Sequence, residues 1–558
     1  MKILKISLLA LASATLLSAC GGSLPAIVST PIENIDALPL KMGKLSDSQL
    51  KAWSATDLLR DTVPGMSVDR AYAEILKGKK GTKVIVGVID SGVDIEHEDL
   101  KDVIWTNKDE IPNNGIDDDK NGYVDDIHGW NFLGNIVAEN LEYVRYVKKL
   151  EPKFKGKSEA SISAADRADF EMYKKAKAEY ETELGQTQGN LARYEQILAQ
   201  VKPAHEAISK KLGKEDYSAA DLNAIQNPTG GEQQNIAILT QMLNYGDTVP
   251  EVMEELQGGI DYFSGRLESH FNLERDFRKE NLGDNPDDFS IKFYGNNDVD
   301  GPDPKKEDAR HGTHVAGIIA AERDNGLGIN GVANNVEIMV VRAVPDGDEY
   351  DKDIALAIRY AVDNGAKVLN TSFGKYYSPH PEWVWDAIKY ASDHDVLIVN
   401  AAGNEGVDLD KVQVYPNDQK VGSPNEIGDT FITIGALNYE YGSDMVATFS
   451  NYGKTSVDLF APGVKIWSTT PLNTYEYLQG TSMASPEVAG IAAMIRSYFP
   501  KLSAKQVKQI LMDSGLSSNA TVILGGDASN QDKFGNISTS GKMANLYNAL
   551  IMADKMSN

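Results

Sequence analysis

Two hydrophobic rhythms run along this chain. Short, nearly unbroken aliphatic and β-branched runs recur at 83–90, 336–344, 367–371, 396–400, 431–435 and 457–460. Runs without alternation mark strands covered on both faces. Between several of them, 353–362 and 382–392 repeat apolar residues every three or four positions, the period of a helix. Strand and helix taken in turn predict right-handed crossovers and an α/β fold, a mostly parallel sheet with helices on both sides. Further helices are predicted at 488–498, 504–512 and 543–556, and one at 67–76 with Ser67 as its N-cap. Ligands of such sheets gather at the carboxyl ends of strands, where Asp90, Ser372 and Asn404 stand.

From 134 to 289 the rhythm changes and the composition turns to Lys, Glu, Gln, Ala and Leu. Phe170, Tyr173, Tyr180, Leu184, Leu191, Tyr194, Leu198 and Val201 keep helical spacing and predict one long helix, with Gly185 and Gly189 as weak points. Helices are also predicted at 233–243 and 249–279, after the break Asn227-Pro228-Thr229-Gly230-Gly231. Segment 134–289 therefore reads as a helical hairpin or bundle inserted into a domain made of 61–133 and 290–558. Two roles stay open for it: a stabilising decoration, or an arm that engages a protein partner or gates substrate.

The 558 residues carry a net charge of −26, which argues against nucleic acid as a partner. The only cysteine, Cys20, excludes a disulfide within the chain. It follows a charged start (Lys2, Lys5) and an apolar stretch, the layout of a signal peptide over 1–19. Leu17-Ser18-Ala19-Cys20 resembles a bacterial lipobox, which implies lipidation at Cys20, anchorage to a membrane and a place in the cell envelope, periplasmic or surface-facing. Segment 20–60 then reads as a tether and N-terminal segment. About 60 residues separate Cys20 from the first predicted strand.

Three stretches carry chemistry: Val-Ile-Val-Gly-Val-Ile-Asp-Ser-Gly-Val at 84–93, His-Gly-Thr-His-Val-Ala-Gly at 311–317, and Gly-Thr-Ser-Met-Ala-Ser-Pro-Glu-Val-Ala-Gly at 480–490. They supply an acid, a base and a serine on a glycine-led turn running into a helix, whose N-terminal field favours a developing oxyanion. All three resemble the motifs of the subtilases, the subtilisin-like serine proteases, in that family's order. The resemblance implies a three-layer subtilisin-like fold and a triad of Asp90, His311 and Ser482. It further implies Asn404, in Ala401-Ala402-Gly403-Asn404, as oxyanion donor, and Ser372-Phe373-Gly374 as the segment that pairs with an extended protein or peptide substrate. His314 reads as a structural histidine, since neither the glutamate of a zincin motif nor a third ligand accompanies a zinc pair. A non-catalytic binding protein with an idle triad is the competing class.

A second motif lies at 113–126. Asp117, Asp119 and Asn121, then Gly122 and the Tyr123 carbonyl, repeat the first half of a calcium loop, to be closed by Asp125 or Asp126. The expected ligands of a structural calcium are Asp117, Asp119, Asn121, Tyr123 and Asp126. A weaker acidic run follows at Asn296, Asp298, Asp300 and Asp303.

Overall fold

The computed structural model describes residues 27, 29–33, 35–37, 44–419 and 425–558. The signal-like segment and Cys20 lie outside the described residues. The strands are β1 (Val84–Asp90), β2 (Gly129–Asn131), β3 (Val336–Arg342), β4 (Val368–Thr371), β5 (Leu397–Ala401), β6 (Phe431–Leu437) and β7 (Leu459–Pro462). They continue as β8 (Ile466–Thr470), β9 (Thr474–Leu478), β10 (Leu516–Ser517), β11 (Thr521–Leu524), β12 (Asp527–Lys533) and β13 (Lys542–Met543). Nine of them form one sheet in the order β10-β13-β7-β6-β5-β4-β1-β3-β2, parallel except for β10 against β13. The pairs β8–β9 and β11–β12 are separate antiparallel hairpins.

The longer helices are α1 (Glu142–Phe154), α2 (Arg167–Leu212), α3 (Gly230–Met242), α4 (Val249–Glu268), α5 (Arg310–Ala320), α6 (Asp351–Asp363), α7 (Pro381–Asp393), α8 (Thr481–Tyr498), α9 (Ala504–Ser514) and α10 (Leu546–Ser557). Strand β1 shows how the layers form. Val84, Val86 and Val88 join the core shared with α5, α8, α9 and α10, whereas Ile89 joins the core beneath α6 and α7. Successive side chains go to opposite faces, so a strand at the centre of three layers must be apolar throughout. Helix α8 takes this further. Glu487 and Arg496 are its only charges and every residue but Ser482 is buried, as expected of a helix at the heart of the domain.

Helices α1 to α4 form the helical unit of residues 134–289. Phe154 of α1 packs on Phe170 and Tyr173 at the start of α2. The 46 residues of α2 then span about 70 Å at 1.5 Å per residue. The far half of α2 has its own core, with Val201, Ala204 and Ile208 against Leu239, Val249 and Val252 of α3 and α4. Helix α4 returns alongside and brings the chain to Phe271, which packs near Tyr180. At the root, buried Arg278 grips Asp353 of α6 with two 2.7 Å hydrogen bonds, and Lys352 reaches Asp284 at 2.6 Å. Removing one partner of such a buried pair costs about 3–5 kcal/mol.

Three expectations change. The helix at 249–279 ends at Glu268, because Asn140 takes the carbonyls of Ser269 and Asn272 and holds the chain against the root. Ser67 does not cap: its φ is 57° and its hydroxyl accepts from Asn545 Nδ2, leaving a short helix at Val68–Ala71 followed by a π-turn. Helix α8 begins at Thr481, not Val488, despite Pro486. Among the described residues, no helix is long and apolar enough to cross a membrane.

Candidate active site

Asp90 is the last residue of β1, between β3 and β4, and is almost wholly buried. Its Oδ1 lies 2.7 Å from His311 Nδ1 and also accepts the Ser91 N–H. Nδ1 is therefore the protonated nitrogen, and Nε2 is left as the acceptor. His311 sits in the first turn of α5, which reaches the end of β1 only because residue 312 is glycine. A Cβ there would stand 2.1 Å from the Gly92 carbonyl oxygen and 3.2 Å from Asp90 Cβ. Burial disfavours the charged imidazole, but the Asp90 carboxylate and its hydrogen bond outweigh that and raise the histidine above its ordinary value.

Ser482 is the second residue of α8, which packs against α5. Its hydroxyl donates to the Ser372 carbonyl at 3.1 Å, while the Ser372 hydroxyl donates to the Ser482 carbonyl at 2.8 Å. The second bond answers a defect written in the sequence. Pro486 has no N–H to give to the carbonyl four residues back, and that carbonyl belongs to Ser482. The Ser372 hydroxyl replaces the missing donor and sews the first turn of α8 to the end of β4.

Asn404 stands just past β5. Its Oδ1 accepts both the N–H and the hydroxyl of Thr481, at 2.8 and 3.0 Å. A backbone N–H can only donate, so the amide oxygen is the atom facing Thr481 and Nδ2 is turned away from it. The point a Cβ would occupy on Gly480 is 3.5 Å from Asn404 Nδ2 and 3.5 Å from Ser482 N. The same point is 3.6 Å from Asn404 Oδ1, so it marks where the Asn404 amide meets the start of α8.

Of the segment expected to pair with substrate, Ser372 turns its side chain to α8, Phe373 packs half-buried near α6 and α7, and Gly374 is exposed. Lys375 and Tyr415 then exchange backbone hydrogen bonds. His314 points its Nε2 at the carbonyls of Ile466 and Glu476, and burial lowers it to about 3. A neutral, buried ring donating to carbonyls is a structural histidine.

The acidic loop departs from its expected ligand pattern. Glu110, Asp119 and Asp126 bring carboxylate oxygens within 4.8 Å of one another, and Glu110 carried no sequence signal. Asp117 instead accepts the N–H groups of Asn121 and Gly122. The Tyr123 N–H donates to the amide oxygen of Asn121, whose Nδ2 donates to Asp119 and Asp126. Asn107 aims a second Nδ2 at the same two carboxylates. Tyr123, whose backbone carbonyl is the expected ligand, packs its ring among Trp130, Phe132 and Tyr360. Burial pushes Asp126 up to about 6. Three hard oxygen donors converging on one space fit calcium. In the run at 296–303, Lys306 Nζ lies 2.6 Å from both Asp94 and Asp300, so the chain's own lysine supplies the cation beside Asp300.

A family model described as the subtilase family matches residues 81–176 and 199–537. Among curated proteins, the chain is 45% identical over 189 residues to the thermophilic serine proteinase of Bacillus sp. (strain AK1), covering 34% of this chain and 42% of that one. It is 39% identical over 221 residues to subtilisin DY of Bacillus licheniformis, covering 38% of this chain and 70% of that protein. The match to the thermophilic proteinase thus spans less than half of that protein's length. A solved protease of Pseudoalteromonas arctica PAMC 21717 aligns at 28% identity over 44% of this chain and 70% of its own, with a TM-score of 0.34, too low to add to the argument. Asp90, His311, Asn404 and Ser482 all fall inside the family match, and the chain belongs to the subtilase family.

Proposed function

We propose that this chain is a serine endopeptidase in which Ser482 is the nucleophile, His311 the general base and acid, and Asp90 the group that orients and charges the imidazole. The observation that carries this reading is the buried Asp90 carboxylate 2.7 Å from Nδ1 of His311, which lies on a helix packed against the one whose first turn carries Ser482. A serine hydroxyl is a weak nucleophile until a base takes its proton. Here the hydroxyl rests on the Ser372 carbonyl and must leave it to reach Nε2, a realignment common when no substrate is bound. Attack on a peptide carbonyl forms the Ser482 Oγ–C bond as the proton passes to Nε2. The oxygen that gains charge is met by Asn404 Nδ2 and the Ser482 N–H. Collapse expels the amine, which takes the proton from His311, and water then repeats the sequence to free the serine.

Extended segments of proteins are the substrates, adding as a strand beside Ser372, Phe373 and Gly374. Glu110, Asp119 and Asp126 would hold a structural calcium, which would offset their mutual repulsion. Cys20 behind a signal-like segment supports a lipid-anchored enzyme of a bacterial envelope, with 134–289 as an inserted helical unit. Ser482→Ala tests the assignment on casein: turnover should fall on the order of a million-fold, the scale for nucleophile removal in this type of enzyme. Substantial residual turnover would place the nucleophile elsewhere.

A further inference from the structure

The loops after β3 and β4 flank the end of β1, and the root of the insertion fastens both. After β3, Asp346 exchanges backbone hydrogen bonds with Val137 and Glu139 at 2.8 and 2.9 Å. Arg145 of α1 donates to the carbonyls of Asp348 and Glu349, at 2.9 and 3.1 Å, and the Glu142 N–H donates to the Asp348 carboxylate at 2.6 Å. After β4 comes Lys375, directly behind Ser372-Phe373-Gly374 and only 3% exposed. Its ammonium lies 2.9 Å from Glu142 of α1, 3.0 Å from Asp351 and 2.7 Å from the Glu349 carbonyl. One buried cation thus ties the end of the proposed substrate segment, the loop after β3 and the first helix of the insertion to a single point.

The next two residues extend the joint. Tyr377 donates its hydroxyl to Glu179 of α2 and packs against Tyr143 and Tyr146 of α1. Tyr376 donates to Glu405, and that same carboxylate oxygen accepts the Asn404 N–H at 2.9 Å. An unbroken run of packed and hydrogen-bonded groups therefore leads from α1 and α2 through 375–377 to the turn that carries Asn404. At the other end, Ser372 is sewn to Ser482. Gly374, exposed between these two anchors, is free to meet a substrate backbone but not free to drift.

We infer that the helical insertion positions the substrate-pairing segment, with Lys375 and its partner Glu142 as the positioning residues: the arm sets where an extended peptide lies rather than how fast the serine reacts. This rests on the reading of 372–374 as the pairing segment. An ion pair this buried is a costly way to gain stability alone, because desolvation offsets most of its attraction, but it fixes geometry well. A misplaced pairing strand weakens binding along the peptide while leaving Ser482 and His311 in place.

The test uses the full chain, Glu142→Gln, and p-nitroanilides with one-residue and four-residue acyl groups, rates being normalised to sites titrated with a fluorophosphonate so that misfolded protein does not count. Tyr377→Phe, which keeps the ring and removes only its bond to Glu179, serves as the milder variant. In the parent, the four-residue substrate should be the better one. In Glu142→Gln its kcat/KM should fall about tenfold, mainly through KM, while the one-residue substrate and the labelling rate stay within about twofold. Tyr377→Phe should move the same way by less. Variants that keep the full advantage of the longer substrate overturn the inference, as does an equal loss on both substrates, which marks a purely structural pair. A parent indifferent to acyl length overturns the pairing reading itself, and the inference with it.

Discussion

Glu487 lies five positions beyond Ser482 on α8, only 2% exposed, with the Ser54 hydroxyl as its hydrogen-bond partner. Burial raises its carboxyl from the ordinary 4.5 to about 8, and the Ser54 hydroxyl only partly opposes this. The native state therefore keeps a proton that the unfolded chain has already released between these two pH values. Stability then falls as pH rises through that window, because the native state binds more protons than the unfolded one. It is flat below 4.5 and flat again above about 8. The gap, at about 1.4 kcal/mol per pH unit, sets a ceiling of about 5 kcal/mol. A cavity of about 200 Å³ lined by Glu487, Ser54, Trp467 and Asn330 lies beside the carboxyl. Water entering it would relax the site, so about half the ceiling is the figure to expect. Glu487→Gln keeps the shape and the acceptor for Ser54 but has no charge to bury. Scanning calorimetry on the Ser482→Ala background, which prevents self-digestion, should show the two chains melting together near pH 4.5. The glutamine variant should melt progressively higher as pH rises to 8. Parallel melting curves at every pH would refute the argument.

Asn404→Ala should lower kcat by about 100- to 1,000-fold with little change in KM, since its Nδ2 acts on charge that appears only in the transition state; an effect confined to KM would remove it from that role. Chelation should lower the melting temperature, and at calcium 100-fold above its Kd the ion should contribute about 2.7 kcal/mol. Glu110→Gln should blunt the calcium response whereas Asp117→Asn should preserve it, because only Glu110 belongs to the converging carboxylates. The opposite pattern would return the site to its linear motif.

The sheet was readable because its central strands are covered on both faces and so leave unbroken apolar runs; all such runs in the sequence became strands. Helix α5 was not readable. Arg310-His311-Gly312-Thr313 is a poor helix start, and it forms because the turn is packed against β1, β8 and α8. The start of α8 was hidden by Pro486, whose lost donor is replaced by Ser372, more than a hundred residues away. Motif order named the candidate site residues, yet what holds them in place could not be read from it. Thr481 orienting Asn404, Lys375 meeting Glu142, and Glu110 joining Asp119 and Asp126 are all contacts made by the fold. Local oxygen spacing marked the acidic loop correctly as a place where carboxylates gather, but it could not tell Asp117, spent on two backbone N–H groups, from those left facing one another.

The central claim is that the hydroxyl of Ser482, and no other, is activated by His311. Its most direct measurement is peptide mapping of the full chain after reaction with a fluorophosphonate. The account predicts one stoichiometric adduct on Ser482, absent from a His311→Ala variant that melts like the parent. An adduct on another residue, or equal labelling of Ser482 without His311, would contradict it.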